Sequence, residues 1–118
     1  MTIPALIDFR TAVGCDESQP AADRLVQGAP RTQVWNHYAD ATGQFFAGTW
    51  ASSAGKWRVT YSEHEFCHLL DGHVVLEADD GRRWEFRAGD AWVIPAGFSG
   101  TWETVEPARK RYAIFEPK

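Results

Sequence analysis

A chain of 118 residues is long enough for one domain of ordinary size. Because 44% of its residues are hydrophobic and six are tryptophan, it can bury a core, which excludes a disordered protein. The net charge of −4 and the pI of about 5.5 argue against a nucleic-acid partner, and no apolar run is long enough to predict a signal peptide or membrane span. The two cysteines, Cys15 and Cys67, do not predict a disulfide, so we expect a protein of the reducing cytoplasm.

The first 30 residues contain three prolines and two glycines, which interrupt the chain too often for a long helix. Isolated apolar side chains in this stretch need a surface to pack on. We therefore predict an N-terminal arm over residues 1–30 that lies on the body of the protein or on a second copy, and a main domain over residues 31–118.

From Thr32 onward, short apolar and aromatic stretches alternate with turn signals, a pattern that predicts an antiparallel sandwich or barrel. The signals are Gly43, Gly48, Gly55, Asp71-Gly72, Asp79-Asp80-Gly81, Gly89-Asp90, Pro95-Ala96-Gly97 and Glu106-Pro107. Asp71-Gly72 is the strongest, because both residue types tolerate the positive φ of a type I′ turn. It predicts a hairpin that joins a strand through Phe66 to a strand through Val75.

Three stretches follow the order of a known family: GTWASSAGKWRVTYSEHEFCHLLDGHV, RAGDAWVIPAGFSGTWE and RKRYAIF. With the lead-in DRLVQGAPRTQVWNHY, they cover about residues 23–115. In these stretches the chain resembles the cupin superfamily, and within it the small single-domain cupins similar to the C-terminal half of ureidoglycine aminohydrolase. The resemblance implies an all-β fold, an antiparallel jelly-roll β-barrel, and often a homodimer.

Cupin enzymes usually hold one divalent metal with a His-x-His pair, a glutamate and a last histidine. In this chain the family's four positions fall on Val59, Tyr61, Glu65 and Gly100. An alternative count from Gly55 gives Tyr61, Glu63 and Cys67, which again includes no histidine. Because valine and glycine side chains offer no metal donor, we predict no metal ligands and no cofactor.

Side chains alternate between the two faces of a strand, so the segment around the family's glutamate has an inner and an outer set. The resemblance directs Val59, Tyr61, Glu63, Glu65 and Cys67 inward, and His64 and His68 outward. Two inward carboxylates need compensation, and Lys110 shares an alternation with Tyr112 and Ile114 that would bring its ammonium inside. We hypothesise a cluster of Glu63, Glu65 and Lys110 in place of the metal. The alternative is that Glu63 and Lys110 lie on a solvated face.

The first functional hypothesis is a metal-free cupin that binds a small polar or anionic metabolite inside its barrel. Its candidate acids and bases are Tyr61, Glu63, Glu65 and Lys110, and its candidate aromatic wall is Trp50, Trp57, Trp102 and Tyr112. The second hypothesis is a metal-dependent, aminohydrolase-like enzyme that acts on a nitrogenous metabolite. The third is a non-catalytic sensing or structural dimer whose inner charges only set the packing.

Overall fold

The computed structural model describes residues 2–118, which form nine β-strands and no helix. None of these residues lies in a helix able to cross a membrane. The all-β prediction is confirmed. The strands are β1 (Asp16–Ser18), β2 (Leu25–Gly28), β3 (Thr32–Ala39), β4 (Phe45–Ser52), β5 (Gly55–Thr60), β6 (His64–Ala78), β7 (Arg83–Arg87), β8 (Ala91–Ile94) and β9 (Ser99–Phe115).

Two long antiparallel strands, β6 and β9, run side by side through the whole molecule. The first half of β6 and the second half of β9 lie in a sheet with the order β8-β6-β9-β4-β3-β1. Their other halves lie in a second sheet with the order β7-β6-β9-β5-β2. Strands that pass from one sheet to the other make the corners of a jelly-roll barrel.

The corner of β6 lies at Asp71-Gly72, where a hairpin was predicted. That prediction is wrong: β6 continues to Ala78 and pairs with β9 on both sides of a set of register shifts between Leu69 and Val74. Among residues 2–118, positive φ is confined to glycines, so Asp71 cannot take its part in a type I′ turn. Gly72 has φ of +97°, and a Cβ there would meet the Pro107 oxygen and the Ala108 Cα, the latter at 2.7 Å. The glycine therefore permits a bulge against β9 rather than a chain reversal.

Two other turn signals also lie inside strands. Glu106-Pro107 forms the matching corner of β9, and Gly48 lies within β4. A Cβ at Gly48 would collide with the Trp35 oxygen and with the Tyr112 ring, so this glycine allows close approach of neighbours rather than a turn. The signals that do lie between strands include Gly43, Asp79-Asp80-Gly81, Gly89-Asp90 and Pro95-Ala96-Gly97, with turn hydrogen bonds at each.

The N-terminal arm contributes two short strands to sheet edges. Strand β1 pairs with β3, and β2 pairs with β5. Before them, Phe9 stacks on His37 with ring centroids 4.3 Å apart, and the Arg111 guanidinium lies over the Phe9 ring. Leu6, in contrast, is 96% exposed. The arm thus packs on the body in part, while the boundary at residue 30 stays a prediction.

The core is formed where the inner faces of the two sheets meet. Its buried members are Cys67, Leu69, Val74, Leu76, Ile94, Trp102 and Ala108. Burial alternates along the first half of β6: Glu65 and Cys67 are buried, whereas His64 and Phe66 are exposed. The assignment of the glutamate to the inner face is confirmed, and so is the outward direction of His64.

Candidate functional site

A cavity of about 490 Å³ opens on the inner faces of β3, β4, β5, β6 and β9. All eight candidate site residues line it: Trp50, Trp57, Tyr61, Glu63, Glu65, Trp102, Lys110 and Tyr112. The sequence pattern assigned Glu65 and Lys110 to the inner face of two separate strands. They lie together because β6, which contains Glu65, pairs with β9, which contains Lys110. Their placement around one cavity is therefore established, while their catalytic and binding roles stay predictions.

A buried ion pair lies deep in this cavity. The Lys110 Nζ is 2.9 Å from the Glu65 Oε2 and 3.5 Å from the Cys67 Sγ. Both charged side chains are almost completely buried, at 4% and 8% exposure. The ammonium also faces the rings of Trp50 at 4.6 Å and Trp102 at 4.4 Å, as in cation–π contacts. The solvated-face alternative for Lys110 is wrong.

The environment of Lys110 keeps its ammonium charged. Burial by itself lowers the pKa of this group, but the neighbouring Glu65 carboxylate and, after it, the Cys67 sulfur outweigh burial, so the pKa of Lys110 is raised. The amine is therefore held as a cation and is not available as a nucleophile. Burial raises the pKa of the Cys67 thiol to about 12, so the thiol stays protonated and is equally unsuited to nucleophilic attack.

Glu63 lies in the bend that precedes β6, is less buried than Glu65 and stands apart from this pair. Within residues 2–118 its carboxylate forms no ion pair, so the predicted cluster of three charges is in fact a pair and a separate acid. Burial raises the pKa of Glu63, and the charges of Glu116 and Glu65 raise it further. The more distant Lys110 offsets this rise only in part, so the cavity contains one carboxylate that, among residues 2–118, forms no ion pair.

The two tyrosines of the cavity are weak acids. Burial, and then the charge of Glu65, raises the pKa of Tyr61 well above its usual range. Burial raises the pKa of Tyr112 to about 12, again with help from Glu65. The Tyr112 hydroxyl donates a hydrogen bond of 2.7 Å to the Asn36 Oδ1, which fixes its direction. Both phenols are therefore hydrogen-bonding groups rather than bases at neutral pH.

A buried polar chain orients the tryptophan at the floor. The Trp102 Nε1 donates to the Thr104 Oγ1 at 3.0 Å, and the Thr104 hydroxyl donates to the Ser52 Oγ at 3.3 Å. The Ser52 hydroxyl in turn donates to the Ser53 carbonyl oxygen at 2.7 Å. Each side-chain donor in this series of hydrogen bonds has an acceptor, so the orientation of the Trp102 ring beneath the ammonium is fixed.

Sequence reasoning missed several residues of this cavity. Asn36 and Phe46 come from β3 and β4, and Gln19 and Pro20 come from the arm. Asn36 lies on the same face of β3 as Thr32 and Val34, which also line the cavity, so a period-two alternation through these residues could have found it. The arm residues have no periodicity, and their place at the cavity depends on the pairing of β1 with β3.

The family's metal positions do not fit a divalent ion here. Val59 offers no donor, and Glu65 is already paired with Lys110. A Cβ at Gly100 would collide with the Glu77 oxygen and lie 2.9 Å from the Ala78 Cα, so no ligand side chain can be placed there without separating β9 from β6. Across residues 2–118, no three His, Cys, Asp or Glu side chains are grouped as metal ligands.

An antiparallel jelly roll with a polar site on its inner face defines a protein of the cupin class. The chain belongs to the family of EutQ-like cupin domains, whose family model matches residues 39–112. The matched range includes the buried ion pair and the whole aromatic wall. A search of curated protein sequences found no match.

Solved structures agree with this assignment. A protein of unknown function of the DUF861 family from Pseudomonas syringae pv. tomato is 23% identical, with a TM-score of 0.79 over 92% of this chain and 46% of its own. The EutQ protein of Clostridium difficile is 17% identical, with a TM-score of 0.67 over 75% of this chain and 65% of its own. A DUF861 family protein from Thermotoga maritima is 30% identical, with a TM-score of 0.53 over 54% of this chain and 73% of its own. This chain therefore spans about half of the first structure and about two thirds of the second.

Proposed function

We propose that this cupin binds a small polar metabolite inside its barrel, at a site where the Glu65–Lys110 ion pair stands in place of a metal. The supporting observation is the buried pair itself, 2.9 Å between the Lys110 Nζ and the Glu65 Oε2, in a cavity of about 490 Å³. Aromatic walls with a few fixed polar groups are the general form of a small-molecule site. Tyr61, Glu63, Glu65 and Lys110 supply the polar contacts, and Trp50, Trp57, Trp102 and Tyr112 supply the wall.

A calorimetric screen of the whole chain tests this function with amines, carboxylic acids, amides and ureido compounds. We expect at least one compound to bind, and Lys110→Met to abolish its binding. Because that variant leaves Glu65 unpaired, the double variant Glu65→Gln/Lys110→Met serves as a folded second test, with its fold checked by circular dichroism. Lys56→Met is the matched control, since Lys56 lies outside the cavity lining. Binding that survives in the double variant would contradict the proposal.

The resemblance to ureidoglycine aminohydrolase supports a second candidate, a metal-dependent enzyme that acts on a nitrogenous metabolite. The poor donor set at Val59, Tyr61 and Gly100 argues against this candidate. Plasma mass spectrometry of the protein after dialysis against nickel, manganese, zinc or iron separates the two. Stoichiometric metal would favour the enzyme, whereas a folded protein that binds a metabolite without metal would favour the proposed function.

The third candidate, a structural or sensing dimer, differs from the first in what the ion pair does. If the pair only sets the packing of the barrel, its removal changes stability and the screen finds no ligand. If the pair belongs to a site, the double variant loses a ligand while its fold persists.

A further inference from the structure

The charges that line the cavity indicate which chemical class of ligand the site takes. They are two carboxyl groups, Glu63 and Glu65, and one ammonium, Lys110. Lys110 is 3% exposed and already contacts Glu65, Cys67 and two tryptophan rings. An anionic ligand would therefore meet a cation that is neutralised and covered, with a carboxylate beside it.

Glu63 is in the opposite situation. It lines the same cavity as Glu65, two residues earlier in the chain, and within residues 2–118 no Lys, Arg or His forms an ion pair with it. Burial and then the carboxylates of Glu116 and Glu65 disfavour its charge, and the attraction of Lys110 offsets them only in part. A cation delivered by a ligand would relieve all three effects.

Apolar side chains that line the same cavity can hold an apolar body behind that cation. Ile114 pairs with Glu65 on one side and with Phe46 on the other, and all three line the cavity. Tyr61, which also lines the cavity, adds an aromatic surface. A short alkyl or aryl group can therefore lie against Phe46 and Ile114 while its charged end reaches Glu63.

We propose that the cavity takes a small organic cation, a primary amine with a short apolar body, whose ammonium binds the Glu63 carboxylate at the mouth. The amine donates hydrogen bonds to the Glu63 oxygens, and its body packs on Phe46 and Ile114. This inference rests on the proposed function and gives it a ligand class. Glu65, Lys110 and Trp102 form the floor on which the amine rests, so a variant that loses the ion pair loses this floor and is expected to lose the amine as well.

Three probes of equal length and different charge test this class: butylamine, butyrate and butyramide, titrated into the whole chain by calorimetry at pH 8. We expect butylamine to bind at least about tenfold more tightly than either other probe, as a charge-assisted hydrogen bond allows. Glu63→Gln, which keeps the shape and removes the charge, should weaken butylamine at least about tenfold and leave butyramide unchanged. Glu77→Gln is the matched control, because Glu77 is exposed outside the cavity.

The outcomes separate this inference from the proposed function. If butyrate or butyramide binds as well as butylamine, or if Glu63→Gln keeps the affinity for butylamine, the amine class is overturned while the cavity remains a ligand site. If none of the three probes binds up to 50 mM, roughly the weakest range expected for such small ligands, and the broader screen is also silent, both proposals are overturned.

Discussion

Lys110 and Glu65 lie together in the interior because each compensates the charge of the other. Either ion alone would be costly to bury, by several kcal/mol on the order of magnitude known for proteins. The Lys110 ammonium also contacts the faces of two tryptophan rings, Trp50 and Trp102. At the scale of single residues, the site is therefore a matched unit rather than a set of independent side chains.

Breaking this unit on one side should be more harmful than removing both charges. We expect Lys110→Met to lower the free energy of unfolding by about 3–5 kcal/mol, because Glu65 would then be buried without a partner. The double variant Glu65→Gln/Lys110→Met should lose clearly less than the single variant. Urea denaturation of the three proteins measures both quantities, and equal losses in single and double variants would contradict the expected coupling.

Glu63 should make stability depend on pH in the opposite direction to an ordinary paired acid. Its pKa is raised in the folded protein, so the folded state holds this proton more tightly than the unfolded chain does. The associated stability is present below the usual pKa of a glutamate and is lost as the pH rises through the raised value. We expect Glu63→Gln to melt slightly above the wild type at pH 7, because solvent screens much of the effect at this partly exposed group, and together with it at pH 4.

Melting curves of the wild type, Glu63→Gln and Glu77→Gln at both pH values provide the measurement. Glu77→Gln removes a carboxyl group outside the cavity and should leave the pH dependence of the wild type in place. A Glu63→Gln protein that is less stable than the wild type at pH 7 would show that the carboxylate has a partner in solution.

The inner direction of Glu65 was predictable, and its contacts were not. Period-two alternation along β6, anchored by the family's glutamate position, directs Glu65 inward. Tyr61 and Glu63 also line the cavity, but the single strand predicted through them is wrong: they lie in the connection between β5 and β6, where strand alternation does not apply. Whether Lys110 reaches Glu63 or Glu65 depends on the register of β6 against β9, which is fixed by the bulges between Leu69 and Val74. Nothing in the local sequence specifies that register.

Strands β6 and β9 explain why a strong turn signal produced no turn. Asp-Gly is compatible with a hairpin, yet here the glycine alone has positive φ, and the chain continues beside the same partner strand. The all-β class and the turns at Gly43, Asp79-Asp80-Gly81, Gly89-Asp90 and Pro95-Ala96-Gly97 followed from composition and spacing, whereas the bounds of β5 and β6 did not. The two corners did not, because a bulge and a turn use the same residue types and differ only in the long-range partner.

The corner offers a direct test at Gly72. Gly72→Ala combines an unfavourable positive φ with a collision against the Pro107 oxygen. We therefore expect it to lower the free energy of unfolding by about 2–4 kcal/mol in total, which is more than backbone strain alone would cost. Gly89→Ala is the matched control: Gly89 has φ of +95°, but a Cβ there meets nothing within 4 Å. We expect Gly89→Ala to lower the free energy of unfolding by only about 1 kcal/mol, the cost of an alanine at positive φ.

Chemical denaturation of Gly72→Ala and Gly89→Ala gives the free energy of unfolding of each variant. The difference between them measures the cost of the collision at Gly72, because both variants share the backbone strain. Equal losses would mean that β6 and β9 can separate at the corner at little cost, and that the close approach at Gly72 does not hold the barrel together.

On the whole molecule, the outer face of the first sheet has an apolar row. Val93 pairs with Phe66, Phe66 with Ala113, Ala113 with Ala47, and Ala47 with Tyr38, across five strands. Val93 is 58% exposed and Phe66 47% exposed. We propose that a second copy of the chain covers this row, as the predicted homodimer requires.

Replacing an apolar member of the row with a charge should therefore weaken self-association. We expect Val93→Glu to lower the dimer affinity by at least about tenfold, because the carboxylate would be desolvated in the interface. Val105→Glu is the matched control, since Val105 is also exposed and lies in β9 outside the row. Sedimentation equilibrium of both variants decides, and equal association of the two would place the interface elsewhere.

Because β6 and β9 are shared by both sheets, neither sheet can form or melt as a separate unit. The cavity is lined from both halves of these strands: Glu65, Lys110 and Tyr112 lie in the halves that pair with β8 and β4, and Trp102 lies in the half of β9 that pairs with β5. Strands β2 and β7 contribute none of the lining residues. Occupation of the cavity would therefore slow amide exchange throughout the barrel, including at strands that the ligand never touches. Any ligand that fills the cavity would therefore act on the folding cooperativity of the whole barrel through the same two strands.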